Sequence, residues 1–165
     1  MLALQLGVLL SLPVIAAACS SARDTAPSPA GTESTIPPAL STTPKGPVTN
    51  LRIVIAGQQV NAQLADIPTA RDLAHQLPIT LPFRDLNRVE KIAKLARPLT
   101  TDGVPEGGDP EIADIGYYAP SQDLVLYYGD VGHWNGIVRI GRFDSDQLAL
   151  VEGQPDGFEV TIEIA

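Results

Sequence analysis

Two tyrosine doublets, Tyr117-Tyr118 and Tyr127-Tyr128, a His133-Trp134 pair and Arg139 carry the side chains best suited to chemistry in this chain. Successive side chains of a strand point to opposite faces, so each doublet sends one ring to the core and one outward. Tyr117 and Tyr127 are the candidate binding rings. The outward rings either stack across neighbouring strands, worth roughly 0.2–1 kcal/mol, or line a ligand groove. His133 and Trp134 lie in the glycine-flanked run GDVGHWNG, residues 129–136. Aromatic residues on loops often mark binding sites; the alternative is that Trp134 folds back as a lid on the fold. Arg139 sits in the alternating run Ile137-Val138-Arg139-Ile140 with aromatics nearby. It either works electrostatically on a bound ligand or pairs with an acid on an outer face.

Several chemistries lack the residues they need. The two histidines, His75 and His133, are far apart and show no zinc-ligand spacing. Asp102, Glu106, Asp109, Glu111 and Asp114 are close together, but Pro105 and Pro110 interrupt them and the spacing matches no calcium loop. No Gly-x-Ser-x-Gly turn is present. The expectation is a domain with no metal and no cofactor.

The elements that must position these residues are mostly strands. Leu51–Ile55 is rich in β-branched residues and Val60–Leu64 alternates at period two, with a turn at Ala56-Gly57-Gln58, which reads as a hairpin. Residues 68–77 read as a short helix, with Pro68 at its start, Thr69 and Asp72 at capping-box spacing, and Pro78 as its stop. Residues 79–83 alternate, and residues 90–95 are ambiguous between strand and helical turn. The Gly- and Pro-rich residues 101–114 read as one long loop. Strands follow over 115–119, 124–128 and 137–143, a second short helix over 144–151 capped by Asp144 or Ser145, and a last strand over 157–164. About eight short strands and two short helices fit a closed barrel or a sandwich.

The chain has three compositional regimes. An uncharged apolar run, Leu2 to Ala18, leads through Ala16-Ala17-Ala18 into Cys19, the single cysteine. This pattern looks like a lipoprotein signal peptide over residues 1–18 with a lipobox ending at Cys19. Lipidated Cys19 would then tether the protein to a membrane, outside the cytoplasm. No Lys or Arg precedes the run and Ala16 stands where a lipobox usually has Leu, so plain secretion and a retained anchor stay open. Residues 19–47 form a tether. Its last 28 residues include ten Ser or Thr and six Pro, with charges that cancel, too little apolar surface to repay ordering. The remaining residues, 48–165, fit one domain and carry the whole net charge of −8. That charge argues against nucleic acid as a partner.

The runs PTARDLAHQLPITLPFRDL, EKIAKL, ADIGYYAPSQDLVLYYGD, GIVRIGRFDS and GFEVTIEI, in this order, resemble the small bacterial cyclophilin-like proteins. The resemblance covers nearly all of residues 50–165. It implies a mainly β fold, a closed eight-stranded barrel capped by two short helices, as in peptidyl-prolyl isomerases. Fold alone does not imply their activity. Isomerases of this kind place an arginine after Phe-His and then a Phe-Met-x-Gln run, and neither stands here. The family also tends to carry glycine where Ala113 precedes Asp114. Glu106-Gly107-Gly108-Asp109 is similar to the Gln-Gly-Gly-Asp of cyclophilins, a coincidence to be expected in a glycine-rich loop. The reading favoured is a monomeric, non-catalytic module binding a peptide or small molecule. The alternative is a divergent prolyl isomerase acting on exported proteins, in which Arg139 would draw on the prolyl nitrogen.

Overall fold

The computed structural model describes residues 48–165. The expectations for the leader 1–18, for Cys19 and for the tether 19–47 lie outside the described residues. Among the described residues no helix is long and apolar enough to cross a membrane.

Strands β1 (Thr49–Ile55) and β2 (Gln58–Leu64) form the expected hairpin, with Ile55 opposite Gln58. Ala56 and Gly57 both have positive φ, 49° and 77°, the backbone of a two-residue type I′ turn whose twist matches that of the strands. Helix α1 (Pro68–Ala74) is shorter than the spacing suggested, and its N-cap residue is Ile67, with no side-chain cap bond. Thr69 and Asp72 do not form a capping box. Thr69 donates its hydroxyl to the Thr100 carbonyl at 2.7 Å, and Asp72 accepts from the Thr100 N–H at 2.8 Å. Both side chains therefore hold the 95–100 segment against the helix.

Next come β3 (Ile79–Leu86), β4 (Glu90–Lys94), β5 (Gly107–Gly108), β6 (Asp114–Tyr118), β7 (Asp123–Tyr127), β8 (Trp134–Asn135) and β9 (Ile137–Phe143). A 3₁₀ turn, Ser145–Gln147, runs into helix α2 (Leu148–Glu152), and β10 (Phe158–Ile164) closes the fold. Asp144 occupies the N-cap of the 3₁₀ turn without a capping bond of its own. Residues 90–94 are a strand. Their ambiguity has a physical source: Lys91, Ile92 and Ala93 are all buried, so β4 is covered on both faces and shows no alternation.

Eight strands make a closed antiparallel barrel in the order β1-β10-β3-β4-β7-β6-β9-β2, and β5 pairs with β8 in a separate ribbon. Closure leaves the barrel no free sheet edge. Its interior is filled by Leu51, Ile53, Val60, Phe83, Leu124, Ile140, Val160 and Ile162, together with Leu73 of α1 and Val151 of α2. One charge enters this interior. Lys91, opposite Asp85 in the β3–β4 register, is 2 % exposed, and its ammonium lies 2.9 Å from the Asp85 carboxylate and 2.7 Å from the Gln154 carbonyl. The Tyr128 hydroxyl donates to the same Asp85 oxygen, and the ammonium also sits 5.4 Å from the Tyr128 ring centre.

Candidate functional site

The outward faces of five neighbouring strands, β3, β4, β7, β6 and β9, carry a second apolar cluster separate from the barrel core. Ile92, Val125, Tyr127 and Ile137 are its buried members, with Leu86, Tyr118 and Val131 packed against them. Register places these residues side by side. Arg84 faces Ile92, Ile92 faces Val125, and Val125 faces Gly116; one row over, Glu90 lies between Leu86 and Tyr127. On the other side, Asp123 faces Tyr118 and Tyr118 faces Ile137.

A cavity of about 660 Å³ opens over this surface, within the size range of small-molecule sites. Its floor is Ile92, Val125 and Tyr127; Arg84, Glu90 and Asp123 stand around it; Asp130, Val131 and Trp134 come from the loop after β7. That loop is fixed at both ends. Tyr128 and Gly129 donate to the Val89 carbonyl at 2.9 and 2.8 Å. At the far end Trp134-Asn135 pairs with Gly107-Gly108, and Gly136 donates to the Glu106 carbonyl at 2.7 Å. Trp134 is 60 % exposed, and its indole N–H is satisfied within the loop by the Val131 carbonyl at 2.9 Å. Its ring therefore stays free at the cavity rim.

Two glycines make this geometry possible. A Cβ on Gly107 would sit 2.7 Å from the Trp134 carbonyl oxygen, so the ribbon pairing requires glycine there. The Glu106-Gly107-Gly108-Asp109 run thus has a structural task, positioning the loop that bears Trp134. A Cβ on Gly116 would sit 2.6 Å from the Tyr127 ring and 3.0 Å from its hydroxyl. The Tyr127 ring lies in the room that Gly116 leaves.

Of the residues singled out from sequence, Tyr127 and Trp134 line the cavity. Tyr117 does not: it is 1 % exposed in the barrel core, and its hydroxyl accepts the Leu99 N–H at 3.1 Å. Tyr118, the outward ring of that doublet, lines the cavity instead. His133 is exposed on the loop and Arg139 is exposed on β9; neither lines the cavity. Arg139 has the outer-face pairing read as its alternative. Its Nε lies 2.6 Å from the buried Asp114 carboxylate and its Nη2 3.3 Å from Glu111. Glu111 also holds Arg142 at 2.9 Å, so the acids at the end of the 101–114 loop form an ion-pair cluster. Among the described residues no group of histidines, cysteines and carboxylates has the geometry to hold a metal ion.

Sequence reasoning missed Arg84, Glu90 and Asp123 as cavity residues. The Glu90 side chain makes no hydrogen bond or ion pair among the described residues. Burial, followed by repulsion from Asp123 and Asp85, pushes its carboxyl above the usual range. Tyr127 is fully buried and its hydroxyl has no partner among the described residues. Burial and the negative charges of Glu90 and Asp114 raise it well above the ordinary phenol value.

The family model described as the cyclophilin-like family matches residues 53–163. The chain belongs to the cyclophilin-like family. Its closed eight-stranded barrel is similar in fold to a hypothetical protein from Archaeoglobus fulgidus solved in solution. The two share 21 % identity over 74 % of this chain and 98 % of the other, with a TM-score of 0.58. No curated protein matches the chain. Ala113, where cyclophilin-like relatives were expected to carry glycine, takes φ of +73°. The turn thus keeps its left-handed backbone with alanine, whose methyl is buried in the core.

Proposed function

We propose that this cyclophilin-like domain is a non-catalytic binding module, tethered outside the cytoplasm by a lipid on Cys19, that holds a peptide or small molecule in the outer-face cavity. The observation that carries the reading is the cavity itself: an apolar floor built by register on rigid strands, roofed by an anchored loop with Trp134 at its rim. Sites on packed strands hold their geometry better than sites on free loops.

The isomerase alternative has one observation in its favour, and it concerns a different arginine. Arg139 is engaged by Asp114 and Glu111, whereas Arg84 lines the apolar cavity without an ion pair among the described residues. A guanidinium there is what an isomerase would use to weaken the prolyl amide's double-bond character. In a protease-coupled assay the full chain should give no rate above background. A rate that Arg84→Ala abolishes would replace the binding module with an isomerase.

The tether rests on Cys19. Cys19→Ser should move the protein from the membrane fraction to the soluble fraction or leave it unprocessed, as read by fractionation and intact mass. Unchanged membrane association with unchanged mass would rule the lipid out.

A further inference from the structure

We infer that the outer-face cavity selects an organic cation, an ammonium group carried on an apolar body. This deepens the proposed binding function and rests on it. Three carboxylates, Glu90, Asp123 and Asp130, line the cavity against one cation, Arg84. The charges acting on Glu90 are those of Asp123 and Asp85, with no cation offsetting them. Glu90 is half-buried, and no ion pair among the described residues engages it, so its carboxylate is open to a cation that enters the cavity.

Tyr127 points the same way independently. Its side chain is 0 % exposed, it lines the cavity, and its hydroxyl has no hydrogen-bond partner among the described residues. Native proteins rarely leave such a group unmade unless a ligand completes it. An ammonium has three donors and no acceptor, so it can donate to the phenol oxygen and to a carboxylate together. Glu90 is the register partner of Tyr127 across β4 and β7, while the phenol oxygen reaches over Gly116 on the β6 side. The aromatic faces of Tyr118 and Trp134 favour a cation over an anion for a further reason, the negative potential above an aromatic ring. The apolar floor of Ile92 and Val125 sets the rest of the ligand: a hydrocarbon or aromatic body.

The test uses one ring with three head groups, benzylammonium, benzyl alcohol and benzoate, titrated into the full chain by calorimetry with Trp134 fluorescence as reporter. A charge-assisted contact should make benzylammonium bind about tenfold tighter than benzyl alcohol, with benzoate weaker still. Glu90→Gln should abolish that preference by weakening benzylammonium to the affinity of benzyl alcohol. Equal binding of ammonium and alcohol, or a preference that survives Glu90→Gln, overturns the inference while the binding module stands. If none of the three probes binds, the binding module falls as well. A blocked peptide, acetyl-Ala-Phe-Lys-Ala-amide, distinguishes the source of the cation. Binding that depends on Glu90 assigns the site to lysine side chains of a peptide, and binding of benzylammonium alone assigns it to free amines.

Discussion

Lys91→Ala should lower the stability of the domain by about 3–5 kcal/mol, a fall of the thermal midpoint on the order of 10 °C. The ammonium is 2 % exposed and sits between the Asp85 carboxylate, the Gln154 carbonyl and the rings of Tyr128 and Phe158. Removing it strands part of Asp85 and opens a void at the barrel wall. Lys91→Met keeps the stem's volume and should cost less, which separates lost packing from lost charge. The pH dependence gives a second reading. The Tyr128 hydrogen bond, with the Lys91 ammonium next in effect, lowers the Asp85 carboxyl from 3.8 to about 2. A depressed carboxyl contributes stability above its unfolded value and loses it as pH falls through its folded value. For Asp85 the contribution, roughly 2 kcal/mol, is whole above pH 4 and fades towards pH 2. Urea unfolding of the native chain at pH 7, 4 and 2 should show that loss, and Lys91→Ala should show a smaller one. Equal stabilities of native and Lys91→Ala chains at pH 7 would mean the pair contributes nothing.

Lys91 also shows where sequence reading stops. The run Glu90-Lys91-Ile92-Ala93-Lys94 looks like a half-polar surface, yet the first of its two lysines is enclosed, with Asp85 opposite it across the hairpin. Strands that keep water on one side were legible: β1, β2 and β10 alternate, and the turn at Ala56-Gly57 announces itself through glycine. The ribbon of Gly107-Gly108 with Trp134-Asn135 was not, because two residues carry no period and the pairing joins two loops. The site divides in the same way. Tyr127 and Trp134 stood out as aromatic residues in telling positions, and both line the cavity. Arg139 drew attention through its apolar neighbours, but only the fold reveals that Asp114 lies beside it. Arg84, Glu90 and Asp123 share no motif or spacing in sequence. Register alone brings them around one floor.

Gly116→Ala should close the cavity, because the added methyl and the Tyr127 ring cannot occupy the same space. The ideal Cβ would lie 2.6 Å from the ring edge, well inside contact distance, and the ring has buried neighbours on the remaining sides. Overpacking of this kind costs typically about 1–3 kcal/mol. The ring lines the cavity, so relief comes from its displacement into that space. Two losses should therefore appear together, a lower midpoint and no detectable calorimetric binding of benzylammonium or benzyl alcohol. Tyr127→Leu in the Gly116→Ala background removes the clash and should recover most of the stability. A double-mutant cycle over the two positions then gives a coupling energy of the size expected for residues in contact. Binding of the alcohol should return with stability in the double variant, while the preference for the ammonium, which needs the phenol oxygen, should stay reduced. Additive effects at the two positions would mean that Gly116 does not make room for the ring, and unimpaired binding in Gly116→Ala would place the ligand site elsewhere on the barrel.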